Sequence, residues 1–207
     1  MITTQQNVSK VRTLTVTALF LATILLQTQV PFLGYIPLGA FIIGVAPTII
    51  QFTVAIGTIV LGTKQGIILA GFFGLISFIR AWTNPVSIGA LMFQNPLTAI
   101  GARLMIAVVI GVFARKFIIG ETGTKLVSRL AIAGFLAAFT NTFFVVLSTW
   151  LGFNVMHTTF VGIPDSNLLH WLLISIVGVN GIAEMVVGIF YVPAIAAPLL
   201  AFLKHHK

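Results

Sequence analysis

The sequence predicts an all-α integral membrane protein of six transmembrane helices, and three observations carry that prediction. Of its 207 residues, 58% are hydrophobic and only 7% are charged, whereas ordinary soluble domains carry about 25% charged residues. The mean hydropathy is +1.13. The apolar residues fall into runs suited to helices of about 20 residues, the length that crosses about 30 Å of hydrocarbon.

The spans are expected at 13–31, 40–62, 66–81, 96–117, 127–152 and 168–192, all within a single domain, 1–207. The first follows Lys10 and Arg12 and has an apolar core at Leu14–Leu26. A signal peptide begins the same way. The residues that follow, Gln27-Thr28-Gln29-Val30-Pro31, hold no small-x-small cleavage site, so an uncleaved helix is expected. The third span has a short apolar core, Ile67 to Ile79. It crosses the bilayer if Lys64 and Arg80 snorkel to opposite surfaces. The fourth opens at Pro96, the fifth carries Thr140-Asn141-Thr142 near its middle, and the sixth carries Val179-Asn180-Gly181 near its middle. No soluble domain, long linker or inverted repeat is visible.

Orientation comes from the cations. Lys10, Arg12, Lys64, Arg115, Lys116, Lys125, Arg129, Lys204 and Lys207 all fall on one side of a six-span chain, and only Arg80 and Arg103 fall near the other. The positive-inside rule places both termini in the cytoplasm. The net charge of +8 is therefore a mark of topology rather than a nucleic-acid surface.

Composition excludes several chemistries. There is no cysteine, hence no disulfide, thiolate metal site or thiol catalysis. The acidic residues, Glu121, Asp165 and Glu184, are isolated, so no paired-carboxylate metal site can form. No P-loop pattern is present, so nucleotide hydrolysis by that route is absent. His157, Asp165 and His170 match no metal-ligand spacing and read as a wetted outer link. His205-His206 read as a solvated tail. Trp82, Trp150 and Trp171 read as an interfacial belt. No metal and no cofactor is expected on this chain.

The informative residues are the polar ones in the membrane, where burial is costly. Arg103 lies about 10 Å inside the fourth span at 1.5 Å per residue. An arginine there costs about 2.5–3.5 kcal/mol on insertion scales unless it finds a partner or water. A bound anion is a suitable partner, because a guanidinium holds a carboxylate through two parallel hydrogen bonds. Arg80 and Asn84 end the third span, and Asn95 precedes the fourth. With Asn141 and Asn180 they complete an outer-facing polar set for a small ligand, although snorkelling or helix–helix hydrogen bonding would also account for individual members. Glu184 lies one turn beyond Asn180 on the same face. It is expected to be buried, and either protonated or paired with a cation from a helix. Small residues four apart occur at Ala18/Ala22, Ala70/Gly74, Ala133/Ala137 and Gly134/Ala138. Each lets another helix approach closely, from inside the protein or from a partner.

These features together resemble the substrate-binding S components of energy-coupling factor (ECF) vitamin transporters. The resemblance rests on six spans with cytoplasmic termini and on Ala18-x3-Ala22 in the first span. It also rests on Phe78-Ile79-Arg80-Ala81, Asn95-Pro96-Leu97 and Arg103-Leu104. It is greatest to the pantothenate-specific branch. It implies a high-affinity vitamin-binding subunit of a bacterial plasma membrane, which is not itself an enzyme. A transmembrane coupling protein and two cytoplasmic ATPases that use ATP-Mg would drive uptake. Ala18 and Ala22 would be the docking strip for the coupling protein. An anionic vitamin suits Arg103, with pantothenate favoured and niacin, biotin and folate as other anions. The remaining reading is a self-sufficient secondary carrier in which Glu184 couples protons.

Overall fold

The computed structural model describes residues 2–36, 47–85, 88–154 and 180–205. All of its regular elements are helical. α1 spans Ile2–Gln29, and its Lys10–Gln29 segment is long and apolar enough to cross a membrane. It buries one narrow stripe, Thr17, Ile24, Gln27 and Thr28, at the three-to-four-residue repeat of a helix packed on one side. Leu14, Leu19, Leu25 and Leu26 point outward.

A short turn, α2 (Pro31–Gly34), folds back on the end of α1. Gly34 sits so close there that a Cβ would lie 2.0 Å from the Gln27 carbonyl oxygen, so only glycine fits. Tyr35 then pairs with Thr48 in an isolated antiparallel bridge. The Ile36 amide donates to the Pro47 carbonyl at 2.8 Å, and the Ile49 amide donates to the Gly34 carbonyl at 2.9 Å.

The bridge leads into α3 (Ile50–Leu61), a 12-residue helix buried from Ile50 to Thr58. At 1.5 Å per residue it is about 18 Å long, too short to cross alone. It runs through the centre of the bundle, packed by α1, α4, α5, α6 and α7, rather than along lipid. The sequence places a span at 40–62; the helix occupies its second half, and residues 40–46 of that span lie outside the described residues.

Gly62, at φ 94°, reverses the chain directly into α4 (Thr63–Thr83). This third span is longer than the expected 66–81, because Lys64 and Arg80 sit inside its end turns. A 3-10 helix, Ile88–Gln94, and a π-helical turn, Leu97–Gly101, precede α5 (Ala102–Phe117). α6 (Gly123–Asn154) follows a turn pinned by Arg129, whose guanidinium donates to the Glu121 carboxylate at 2.6 Å and to the Phe117 carbonyl.

α7 spans Ile182–His205 and includes Pro193 and Pro198. The sixth span was expected to end at 192, before these prolines. Within a membrane bundle, helices tolerate prolines whose freed backbone groups find other partners, and this one continues for two more turns beyond them. The apolar stretch is Ile182–Leu203, and residues 168–179 lie outside the described residues. Among the described residues, five helices are therefore long and apolar enough to cross a membrane, and α3 is a shorter sixth. The chain is a multi-pass membrane protein.

The α6–α7 contact is the closest in the bundle. A Cβ on Gly134 would lie 1.9 Å from the Gly188 carbonyl oxygen, and one on Gly188 would lie 2.5 Å from that of Gly134. Glycine here lets two backbones touch, as at close crossings of membrane helices. Gly134→Leu is expected to destabilise the fold by about 1–3 kcal/mol, the usual cost of overpacking. That corresponds to a thermal-unfolding midpoint in detergent lower by roughly 2–12 °C for a chain of this size. An unchanged midpoint would show that α6 and α7 can separate without loss.

Candidate functional site

A cavity opens at the end of the bundle away from the basic α5–α6 link. The helix ends that surround it come from distant parts of the sequence. Arg80 and Asn84 come from the end of α4, and Arg103 from the start of α5. Asn141 lies in α6, while Asn180 and Glu184 come from the start of α7. The cavity and its mouth hold about 890 Å³ of empty space, open solvent included.

Arg103 is its central feature. The π-helical turn sets this residue at the very start of α5, and its side chain is 2% exposed. Nη1 donates to the Thr98 carbonyl of that turn at 3.3 Å. The guanidinium carbon lies 4.1 Å from the ring centre of Phe93 and 5.1 Å from that of Phe73. Two phenyl faces thus stabilise the charge and leave its edge for hydrogen bonding. Nε is buried and has no partner. Among the described residues the single ion pair is Arg129–Glu121, so no carboxylate pairs with Arg103 there. Nη1 of Arg80 is likewise buried without a partner.

Across the cavity stand acceptors in the same condition. Asn141 is 6% exposed, and its Oδ1 has no donor; neither does Oδ1 of Asn180. Buried polar groups in folded proteins are almost always bonded. Unpaired arginine N–H groups facing unpaired amide oxygens therefore mark a site complementary to a ligand with both acceptors and donors.

Glu184 is buried, as expected. It is 5% exposed and pairs with neutral donors rather than a cation. Oε1 accepts the Thr48 amide at 2.8 Å, and Oε2 accepts the Gln51 side-chain amide at 3.0 Å. The carboxylate thus sits at the N-terminus of α3, where the helix dipole favours negative charge. The Thr48 hydroxyl donates to the Gly34 carbonyl and accepts the Ile50 amide, both at 3.2 Å. Through these bonds Glu184 fixes the cavity wall that Tyr35 and Thr48 provide.

Five of the six residues expected at the site, Arg80, Asn84, Arg103, Asn141 and Asn180, line the cavity. Asn180 does so from a π-helical turn directly before α7. Asn95 stands apart. It is 4% exposed, and its Oδ1 accepts the Leu97 amide at 2.9 Å, so it caps the turn that carries Arg103. Trp82 and Trp150 are 57% and 45% exposed and lie outside the cavity wall, as an interfacial belt requires. His157, Asp165, His170, Trp171 and His206 lie outside the described residues.

Sequence reasoning missed Phe73, Phe93, Tyr35 and Thr48 as lining residues. With 18 phenylalanines in the chain, no sequence signal separates the two that face Arg103.

Comparison with known proteins identifies the family. Residues 12–196 match the family model described as the ECF transporter, substrate-specific component, and the chain belongs to that family. It is a transport subunit and not an enzyme. It is 48% identical over 192 residues to a pantothenate transporter, PanT, of Leuconostoc mesenteroides subsp. mesenteroides, covering 93% of this chain and 94% of that protein. It is 31% identical over 164 residues to a pantothenic acid transporter, PanT, of Lactococcus lactis subsp. cremoris, covering 75% and 78% respectively.

The role of Asn95 can be separated from that of the cavity wall. Asn95→Ala is expected to destabilise the protein by about 1 kcal/mol, as loss of a side-chain cap does. That corresponds to a midpoint lower by roughly 2–4 °C in a detergent melt. Asn95→Asp keeps the acceptor and should keep the midpoint. Equal losses in both variants would show that the cap is not what Asn95 supplies.

Proposed function

We propose that this S component binds pantothenate from the extracellular side and delivers it inward as part of an ECF-type importer. The observation that carries the reading is Arg103, a buried guanidinium with an unpartnered Nε and no carboxylate partner among the described residues. Pantothenate has a carboxylate, an amide and two hydroxyls. Arg103 and Arg80 match the carboxylate; Asn141 and Asn180 offer acceptors to the donor groups, and Asn84 borders the mouth. The names of the two relatives support the same substrate.

Orientation follows from charge. Lys64, Arg115, Lys116, Lys125 and Arg129 lie at the end opposite the cavity, which places that end in the cytoplasm under the positive-inside rule. Both termini then lie inside, and the cavity faces out.

On this reading the energy comes from partners, a coupling membrane protein and two ATPases, the chain having no P-loop pattern of its own. Support for a docking strip comes from burial. Ala70, Gly74, Ala133, Gly134, Ala137 and Ala138 are all buried in the bundle. Ala18 and Ala22 are exposed on α1 and leave a smooth surface for a partner helix.

Two experiments test the proposal. In calorimetric titration of the purified protein with pantothenate, Arg103→Ala should weaken binding at least about tenfold, since a hydrogen bond to a charged group contributes about 1.5–3 kcal/mol. Unchanged affinity would rule out the carboxylate role. Ala18→Trp combined with Ala22→Trp should leave that titration unaltered, yet abolish ATP-driven uptake in vesicles that also contain the coupling protein and ATPases. Full uptake by the double variant would remove α1 as the docking surface.

A further inference from the structure

We infer that Glu184 is a specificity-determining residue: it fixes the direction in which the ligand lies and excludes ligands with a second negative charge at the far end. The inference rests on the pantothenate reading and adds the polarity of the site.

The donors and the acceptors that line the cavity are carried by different helices. The donors, Arg80 and Arg103, are carried by α4 and α5, which pack together. The acceptors, Asn141, Asn180 and Glu184, are carried by α6 and α7, which pack together. Each Glu184 oxygen accepts one bond from the protein, and a carboxylate oxygen has capacity for a second. The α6 and α7 side of the lining is therefore rich in acceptors, and Glu184 when ionised adds a negative charge to it.

Among the described lining residues there are two guanidinium groups and one carboxylate. The site's net positive charge is matched by one negative charge on the ligand. A ligand carboxylate is drawn to the arginine wall, and hydroxyl donors fall against the α6–α7 wall. A phosphate at the hydroxyl end would replace a donor with acceptors and set like charges together where water is scarce.

The surroundings also make Glu184→Gln a usable probe. Oε1 of Gln51 is buried and unpartnered. With glutamine at 184, the Gln51 amide can turn over and accept from the new amide, while the other oxygen keeps the Thr48 amide. The variant removes the charge and exchanges one unpartnered group of Gln51 for the other, and a melting curve reports whether it folds.

The experiment is calorimetric titration of the full chain in detergent with three probes. They are pantothenate, pantothenate phosphorylated on its terminal hydroxyl, and pantothenate with that hydroxyl replaced by hydrogen. The wild-type protein should bind pantothenate and reject the phosphate ester by at least about 100-fold, as expected for uncompensated like charge in a buried site. It should bind the deoxy analogue at least about fivefold more weakly, through loss of one hydrogen bond. Glu184→Gln should narrow the preference for pantothenate over the ester by at least about tenfold, because the like-charge contribution is gone. An ester that binds the wild type as tightly as pantothenate would overturn the inference, and so would an unchanged preference in a folded Glu184→Gln protein, which would mark the exclusion as steric. If that variant does not fold, the deoxy analogue decides, and undiminished affinity for it overturns the inference. Failure of the wild type to bind pantothenate at all would instead overturn the proposed function, and this inference with it.

Discussion

The arrangement of this protein turns on a positive charge that is buried without a counter-charge. A guanidinium at the depth of Arg103 is tolerated only if its surroundings replace water. Here they do so in part. Phe73 and Phe93 cover the guanidinium, and the π-helical turn offers the Thr98 carbonyl. One hydrogen bond for a group with five N–H donors leaves most of its capacity open. Neighbouring elements follow from this requirement. The 3-10 helix Ile88–Gln94 supplies Phe93, and Asn95 caps the turn that sets Arg103 at the head of α5.

The negative charge in the same cavity is satisfied by different means. Glu184 takes a backbone amide and a side-chain amide at the N-terminus of α3, so its bonds serve the wall as well as the charge. Because its protein partners are neutral donors, the charge of Arg103 is not cancelled by direct pairing. A salt bridge between the two would have closed the cavity and filled the arginine edge that a ligand carboxylate needs. The separation keeps both walls of the site open, one donor-rich and one acceptor-rich.

Much of this was legible in the sequence because lipid makes polar residues expensive. That single principle picked out Arg80, Asn84, Arg103, Asn141 and Asn180, and the structure brings all five to one cavity from four helices. The same principle named Asn95, whose place before Pro96 also fits a helix cap; the second signal describes what the side chain does. The partners of Glu184 were not legible. Thr48 and Gln51 lie 136 and 133 residues away from it in sequence, and their meeting depends on how α3 threads the bundle. The last span was expected to end at 192, whereas the helix continues through Pro193 and Pro198 to His205, as a packed membrane helix can.

The small-residue pairs show why sequence spacing alone cannot assign a surface. The pairs look alike in sequence, and their fates differ with the number of neighbours each helix has. α4 and α6 each bury one face against other helices, and their small residues lie on that face and bring backbones together inside the protein. α1 is peripheral and buries a single stripe, which leaves Ala18 and Ala22 on the outside. The buried stripe of the same helix ends at Thr28, which borders the cavity, and includes Gln27, whose side-chain oxygen accepts the Thr53 hydroxyl of α3 at 2.9 Å. Ten residues of helix separate Thr28 from Ala18, a rise of about 15 Å. A helix is stiff over that length, so any tilt of α1 that a ligand imposes at Thr28 is carried to Ala18 and Ala22. Cavity and outer strip are thus two ends of one rigid element, with Gln27 and Thr53 fixing its attachment to the core.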